Sequence, residues 1–222
     1  VTTETIKTIA ERNGVEMYDV YTGFKWIANV MRENEGKKNY IGGGEESYGF
    51  LCEDFVRDKD AVSACVILAE IAAWAKDQGL SLYQLLQKIY VEYGFSKEKG
   101  ISVVKKGKSG AEEIEAMMKK FRENPLTEIA GSKVTYFYDY STLKGKDYAE
   151  NETVTLDMPT TSNVLQYFTE DNTKVSIRPS GTEPKIKFYC EVHSKVKSID
   201  ELPEAEKAAE EKINQIKASL GI

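Results

Sequence analysis

Residues 174–192 are Lys-Val-Ser-Ile-Arg-Pro-Ser-Gly-Thr-Glu-Pro-Lys-Ile-Lys-Phe-Tyr-Cys-Glu-Val. The two ends of this stretch, 174–177 and 186–192, alternate between polar and apolar residues, which is the period-two pattern of half-buried strands. The segment between them, Arg178–Lys185, combines Pro, Ser, Gly and Thr, so we expect a short loop that joins the two strands. The stretch therefore predicts a β-hairpin within an antiparallel sheet.

The chemistry of this loop leaves two interpretations open. Backbone N–H groups, the hydroxyls of Ser180 and Thr182 and the guanidinium of Arg178 could gather around a single anion, for which phosphate is the natural ligand. Arg recognises such an anion with a planar fork that Lys does not reproduce, and Lys187 adds charge on the polar face of the second strand. Alternatively, the same residues form an ordinary turn, in which Pro fixes φ and Gly181 supplies a positive φ.

A second loop, Ile41–Phe50, contains three consecutive glycines followed by Glu45, Glu46 and Ser47. Glycine lets another group approach the backbone closely. A carboxylate only accepts hydrogen bonds, so it suits the hydroxyl donors of a sugar. One residue of register decides whether Glu45 or Glu46 points inward. The alternative is a glycine-rich loop with two solvated acids.

Four segments in this order resemble the α-D-phosphohexomutase family, the phosphoglucomutases and phosphomannomutases. Gly44–Ser47 matches the Gly-Glu-x-Ser sugar loop of that family, and Arg178–Thr182 matches its Arg-x-Ser-Gly/Asn-Thr phosphate loop. Thr22–Trp26 resembles the Thr-Gly-Phe/Trp-Lys segment, and Arg57–Asp60 lies just before a long apolar helix pattern. The Ser-His-Asn-Pro catalytic loop and the Asp-x-Asp-x-Asp-Arg magnesium loop do not occur here. The resemblance therefore implies a C-terminal half, with most of the third domain and the fourth domain.

The resemblance implies two groups of binding residues, and it places no catalytic residue and no metal ligand in this chain. The sugar-binding group is Thr22, Gly23, Lys25, Glu45 and Ser47, in which Glu45 and Ser47 would hold hydroxyls near the middle of the ring. The phosphate-binding group is Arg178, Ser180, Gly181, Thr182, Lys187 and Lys59. Two alternatives stay open, since Lys25 could be a solvated helix residue and Lys59 could simply flank a helix.

The implied reaction is that of an isomerase, an intramolecular phosphotransferase that interconverts hexose 1-phosphate and hexose 6-phosphate. A phosphoserine donates its phosphoryl group, a hexose 1,6-bisphosphate reorients, and Mg²⁺ neutralises charge during the transfer. The serine and the Mg²⁺ are expected outside this chain, so the chain alone is expected to be inactive. Its expected partners are a phosphosugar and the N-terminal domains of the same polypeptide. Glucose, mannose and pentose phosphates all remain possible.

Two other classes of function stay open at this point. The first is a stand-alone phosphosugar-binding module that performs no catalysis. The second is a structural α+β protein whose loops merely look similar.

Composition and charge argue against several further classes. The net charge of −6, without a basic run, argues against a nucleic-acid partner. The start at Val1–Thr3 shows no signal-peptide pattern, and the longest apolar helix pattern is too short for a bilayer, so we expect a cytoplasmic protein with no membrane partner. Cys52, Cys65 and Cys190 are widely spaced and the chain has one histidine, so buried free thiols in a reducing compartment are expected rather than a zinc site.

The periodicity of apolar residues predicts two domains, 1–95 and 96–222. The first is α/β, the partial third mutase domain, and the second is α+β, with an antiparallel sheet and two helices packed on one face. The helix that begins at Ala61 contains few strongly polar residues, so it is predicted to be buried on most sides. A hinge is predicted in 95–108. Helices are predicted over 3–12, 25–33, 60–78, 81–93, from Ser109 to before Pro125, and 200–220, with strands at 15–20, at 101–104 and within 133–192.

Overall fold

The computed structural model describes residues 1–105, 107–181 and 183–222, without the side chain of Lys108. The chain forms two compact units, Val1–Gly94 and Phe95–Ile222. In the described residues the first unit combines helices with a short two-stranded ribbon, and the second is an antiparallel sheet with helices. The predicted fold class, an α/β region followed by an α+β domain, is therefore confirmed.

Three of the helices in the first unit begin where the sequence supplies a capping side chain. The hydroxyl of Thr3 and the carboxylate of Asp60 accept hydrogen bonds from the first backbone N–H groups of their helices. Ser81 and Gln84 form a reciprocal capping box at the start of a third helix. The helices of this unit are α1 (Glu4–Arg12), α2 (Phe24–Glu33), α3 (Ala61–Asp77) and α4 (Leu82–Tyr93).

A small core in the first unit lies between α2 and the antiparallel ribbon of β1 (Gly42–Gly44) and β2 (Phe50–Cys52). Its buried members are Phe24, Met31 and Leu51, with Ile27 and Tyr40 packed against them. A Cβ at Gly43 would lie only 2.6 Å from the Tyr40 hydroxyl. The close approach expected at the glycine run is thus made, at Gly43, by the protein itself.

Two predictions for the first unit are wrong. Val15–Val20 is irregular rather than a strand, because no described strand lies beside it to complete a backbone ladder. α3 is a helix, but its residues are mostly exposed: only Ala75 is buried, whereas Val62 and Trp74 are 74% and 54% exposed. Within the described residues of this unit, α3 packs only in part, against β2 and α4, and Val15, Met17 and Val20 are half-buried.

Antiparallel pairing joins all the described strands of the second unit. The order across the sheet is β3-β10-β9-β8-β5-β6-β7, and β4 pairs with β5 beside this path. The predicted hairpin is confirmed, since β9 and β10 are adjacent and pair directly. The strands are β3 (Phe95–Val104), β4 (Glu128–Ile129), β5 (Ser132–Asp139), β6 (Lys144–Asp147), β7 (Glu152–Thr155), β8 (Leu165–Thr169), β9 (Lys174–Pro179) and β10 (Lys185–Ser194).

Two helices, α5 (Gly107–Glu123) and α6 (Leu202–Leu220), cover one face of this sheet, and a 3-10 turn at Ile199–Glu201 precedes α6. The apolar face of β10 is fully buried beneath them. Phe188 on that face meets Phe121 of α5 with ring centroids 6.3 Å apart. Ile213 and Ile216 of α6 are also fully buried. The predicted packing of two helices on one sheet face is thus observed.

The boundaries near the start of the second unit differ from the prediction. β3 begins at Phe95 rather than Ile101, and every one of its residues has a partner in β10. A hinge in 95–104 is therefore wrong, because a strand hydrogen-bonded along its whole length does not bend freely. α5 begins at Gly107, so the predicted capping residue Ser109 lies inside its first turn.

Candidate functional site

In the first unit, the fold brings together two of the segments that resemble mutase motifs. The backbone N–H of Gly23 donates a hydrogen bond of 2.7 Å to Oε1 of Glu45, which lies 22 residues away in sequence. Gly23 has φ 121°, a conformation that favours glycine, and it is the residue from which α2 starts. The start of α2 and the Glu45 loop therefore form one surface.

Geometry distinguishes the two acids of this loop. Glu45 is half-buried, and its backbone N–H donates to the carbonyl of Gly49 at 2.8 Å, which closes the loop. Glu46 is exposed, as is Ser47. A Cβ at Gly49 would lie 3.0 Å from Glu45 Oε2 and 3.2 Å from Lys59 Cδ. Glu45 thus lies inside the group of loops, and Gly49 leaves room for Lys59 beside it.

Two lysines of this surface were predicted as site residues, Lys25 for the sugar and Lys59 for the phosphate, and both lie near aromatic rings. Lys59 Nζ is 3.1 Å from Asp58 and 5.9 Å from the ring centroid of Phe24. Its hydrogen bonds hold the pKa of Asp58 below the ordinary value, so Asp58 stays an anion near neutral pH. Lys25 Nζ lies 5.0 Å from the ring centroid of Trp26, which is half-buried.

A cleft of about 660 Å³ follows the exposed side of α2 in this unit. Four cationic side chains line it together with a single acid, Asp58. Two of the four, Arg32 and Arg57, were not predicted as site residues. Lys25 and Arg32 are seven residues apart, which is two helical turns, so the spacing contained this signal. The residues that line the cleft are Gly23, Phe24, Lys25, Ala28, Asn29, Arg32, Arg57, Asp58 and Lys59.

In the second unit, the β9–β10 hairpin places two cations side by side. Arg178 near the end of β9 is the direct partner of Lys187 in β10. Side chains at paired positions point to the same face of a sheet. The Lys187 ammonium lies 5.9 Å from the ring centroid of Tyr189. The hairpin therefore presents a guanidinium and an ammonium together beside its own loop.

Hydrogen bonds within the loop fix its backbone. The Ser180 N–H donates to the carbonyl of Lys185 at 2.9 Å, and Ser180 Oγ accepts from the N–H of Glu183 at 3.2 Å. Gly181 is exposed, and its φ is not in the left-handed region, so the positive φ of the ordinary-turn interpretation is not observed. Thr182, also predicted as a phosphate ligand, lies outside the described residues.

Charge is balanced on one side of this loop. Lys185 Nζ lies 2.9 Å from the Glu183 carboxylate. The hydrogen bond from Lys185, with a smaller contribution from Lys187, keeps the pKa of Glu183 below its ordinary value. Glu183 therefore remains an anion near neutral pH and neutralises Lys185, while Arg178 and Lys187 are left to attract an added anion.

The loop also forms one wall of a cleft of about 920 Å³ whose other wall is α5. Ile114 and Met118 give this cleft an apolar floor. Arg122 at its far end is held by Asp139 at 3.0 Å and Asn163 at 2.6 Å. The Nε and one Nη group of the Arg122 guanidinium are therefore already hydrogen-bonded within the protein.

The single histidine belongs to a buried polar cluster. His193 Nε2 lies 3.0 Å from Glu191 Oε1, and Lys174 Nζ lies 3.1 Å from Glu191 Oε2. The second contact is an ion pair by distance but lacks hydrogen-bond geometry at Oε2. Glu191 and Lys174 are 3% and 5% exposed. This environment gives His193 a structural contact and no access to a ligand through Nε2.

The described part of the chain has neither a metal-binding cluster nor a membrane-spanning helix. It contains no group of three or more His, Cys, Asp or Glu side chains arranged to hold a metal ion. None of the helices in 1–105, 107–181 and 183–222 combines the length and the apolar character needed to cross a membrane.

The two units match two consecutive domains of one protein family. Residues 1–93 match phosphoglucomutase/phosphomannomutase, alpha/beta/alpha domain III. Residues 102–209 match phosphoglucomutase/phosphomannomutase, C-terminal domain. Together these matches include every described position predicted for the sugar and phosphate sites.

Relatives with curated names are similar over most of this chain. A phosphoglucomutase of Staphylococcus aureus (strain bovine RF122) is 40% identical over 189 residues, which are 85% of this chain and 34% of the relative. A phosphoglucomutase of Staphylococcus haemolyticus is 37% identical over 187 residues, or 84% and 34% of the two chains. The chain therefore spans about a third of the length of these relatives.

A solved structure shows the same fold. The open form of the exocytosis-sensitive phosphoprotein pp63/parafusin from Paramecium, a phosphoglucomutase, matches with a TM-score of 0.57 and 20% identity. The match covers 89% of this chain and 32% of that protein.

Proposed function

This chain belongs to the phosphoglucomutase/phosphomannomutase family, as a C-terminal portion, and we propose that it is the substrate-recognition half of a mutase. The full-length protein would interconvert hexose 1-phosphate and hexose 6-phosphate through a phosphoserine and a hexose 1,6-bisphosphate. We assign sugar recognition to the first predicted domain, 1–95, and phosphate recognition to the second, 96–222. The isolated chain would be inactive.

The observation that supports this proposal most directly is the arrangement of the β9–β10 hairpin. Arg178 and Lys187 are paired across the strands, and the loop between them is held by its own hydrogen bonds. A phosphate dianion placed there would meet a planar guanidinium fork, a point charge and loop N–H groups without rearrangement of the backbone. We propose Arg178, Ser180, Gly181, Thr182 and Lys187 as this clamp.

The Glu45 loop suits the second requirement of a mutase. The sugar must bind in two opposite orientations, so contacts near the middle of its ring change least when it reverses. Glu45 already accepts from Gly23 through Oε1, which fixes its orientation, and a sugar hydroxyl could donate to the carboxylate. We propose that Glu45 and Ser47 hold the hydroxyls while Thr22, Gly23, Lys25 and Lys59 line the site.

The acids of Arg57–Asp60 do not fit a Mg²⁺ site. The Asp60 carboxylate accepts from the N–H groups of Val62 and Ser63, and Asp58 is engaged by Lys59. Mg²⁺ prefers near-octahedral oxygen ligands, which these committed carboxylates do not offer. We therefore propose that Mg²⁺ binds, and the phosphoserine lies, in the rest of the full-length protein.

The exposed surface of α3 is consistent with a larger protein. α3 is apolar on nearly all sides, and five of its large apolar residues are exposed in the first unit: Val62, Val66, Leu68, Ile71 and Trp74. Such contiguous apolar surface normally marks an interface. We propose that the upstream domains of the same polypeptide cover it.

The experiment that tests the phosphate clamp is an NMR titration of this chain with glucose 1-phosphate and glucose 6-phosphate. We expect shifts at residues 178–187 that disappear in Arg178→Ala. Lys195→Ala is the matched control, because Lys195 is an exposed cation just beyond the other end of β10. The control variant should titrate like the wild type.

A wild type that shows no shifts at several millimolar ligand would contradict an autonomous clamp. Mutase assays of the full-length protein, with and without Arg178→Ala, would then test the function itself. Activity that survives Arg178→Ala unchanged would refute the proposed clamp. A gene that encodes only this chain would instead favour the stand-alone binding module.

A further inference from the structure

Tyr48 combines almost complete exposure with a backbone conformation that bulky residues seldom adopt. It follows Ser47 at the tip of the β1–β2 ribbon and is 99% exposed. Its φ is 70°, in the left-handed region. A bulky L-residue is strained there, whereas Gly, Asn and Asp adopt it more readily. A large apolar ring is thus held in solvent on an unfavourable backbone.

The position of this residue relates it to the sugar loop. The Glu45 N–H donates to the carbonyl of Gly49, so Tyr48 lies within the closed turn whose first residue is Glu45. A Cβ on its neighbour Gly49 would crowd the Glu45 carboxylate and the Lys59 stem. The strain is therefore located at the rim of the surface that holds the proposed hydroxyl acceptor.

We propose that Tyr48 is a sugar-stacking residue, whose ring covers the apolar C–H face of the hexose while Glu45 binds its hydroxyls. This inference rests on the proposed function. A pyranose has polar edges and an apolar face, so a rigid aromatic ring matches the face and adds affinity with little loss of side-chain freedom. Strain kept at a site in this way is typical of residues retained for binding rather than stability.

Full-length variants separate this role from a structural one. Tyr48→Asn suits the left-handed backbone but removes the ring, and Tyr48→Phe keeps the ring but removes the hydroxyl. Tyr83→Ala is the control, because Tyr83 is also a strongly exposed tyrosine, 67% exposed on α4. The measurements are kcat and KM for glucose 1-phosphate, inhibition by inorganic phosphate, and the thermal midpoint.

We expect Tyr48→Asn to raise KM for glucose 1-phosphate about tenfold. Its inhibition constant for inorganic phosphate should stay unchanged, because phosphate lacks the sugar. Its thermal midpoint should rise by about 1 °C as the strain is relieved, because the same gain in free energy shifts the midpoint less in a large protein. Tyr48→Phe should keep KM within about twofold, and Tyr83→Ala should match the wild type.

Several results would overturn the inference. An unchanged KM in Tyr48→Asn would mean that the ring does not contact the sugar. An equal rise in KM in Tyr48→Phe would mean that the hydroxyl, not the ring, is responsible. A parallel rise in the phosphate inhibition constant would indicate a distorted site. If Arg178→Ala impairs turnover while Tyr48→Asn does not, only this inference fails. A wild type without hexose phosphate mutase activity would overturn the proposed function as well.

Discussion

At the scale of single residues, a substitution at Gly181 should affect stability and phosphosugar affinity in opposite directions. A Cβ built at this position meets no atom within 4 Å, and φ is not in the left-handed region. The fold therefore accepts alanine here, and the reduced freedom of the unfolded chain should stabilise Gly181→Ala by about 0.4–1 kcal/mol. If a phosphate contacts this backbone, the added methyl group should weaken glucose 1-phosphate binding about tenfold.

Urea unfolding and a phosphosugar titration of the same Gly181→Ala sample measure these two effects. Lys195→Ala again serves as the control for a surface change. A variant that gains stability and loses affinity would support ligand approach at Gly181. Unchanged affinity would remove Gly181 from the clamp but leave Arg178 and Lys187 in it.

The residues of the first unit show that contacts between separate loops could not be predicted from the sequence. Resemblance indicated both Gly23 and Glu45, but no spacing rule brings residues 22 positions apart into a hydrogen bond. The choice between Glu45 and Glu46 was likewise left open, since it depends on how the Gly49 carbonyl closes the loop. Contacts between loops arise only when the elements that support them have packed.

At the scale of elements, helix caps give a direct test of local stability. The Ser81 hydroxyl accepts from the N–H of Gln84 at 3.2 Å, and Gln84 Oε1 accepts from the N–H of Ser81 at 2.8 Å. Ser81→Ala leaves one N–H at the start of α4 without its partner, so we expect a loss of about 1 kcal/mol in unfolding free energy. Urea unfolding followed by circular dichroism measures it.

Ser81→Asp is the matched variant for this prediction, because an aspartate side chain also caps and suits the positive end of a helix. It should stay close to the wild type. If Ser81→Ala and Ser81→Asp proved equally stable, the capping box would contribute nothing, and tertiary packing alone would hold the start of α4.

Elements whose partners are close in sequence were the ones predicted best. The β9–β10 hairpin needs only its own loop, and α6 displays its buried residues at helical spacing. The predictions for Val15–Val20 and α3 failed because no described strand pairs with the first and most side chains of the second are exposed. An apolar pattern indicates that a segment is to be covered, but not which part of the protein covers it.

At the scale of the whole molecule, the exposed helix α3 offers a test of the missing cover. The expected burial of the three thiols is wrong for Cys65, which lies on α3 and is exposed, whereas Cys190 is buried in the second unit. Burial raises the pKa of the Cys190 thiol to about 11. At pH 8 only about one Cys190 thiol in a thousand is then ionised, so this thiol should resist modification in any folded form. The chain thus contains its own unreactive reference.

We expect iodoacetamide at pH 8 to modify Cys65 rapidly in this chain and at least about tenfold more slowly in the full-length protein. Peptide mass mapping would follow each cysteine separately, including the half-buried Cys52, whose thiol donates to the Ile41 carbonyl at 3.3 Å. Cys190 should stay unmodified in both proteins until urea unfolds them. Equal rates at Cys65 would mean that upstream domains leave this part of α3 uncovered. Protection of Cys65 at an unchanged Cys52 rate would locate the cover on α3 itself, because a general gain in stability of the first unit would slow the modification of the half-buried Cys52 as well.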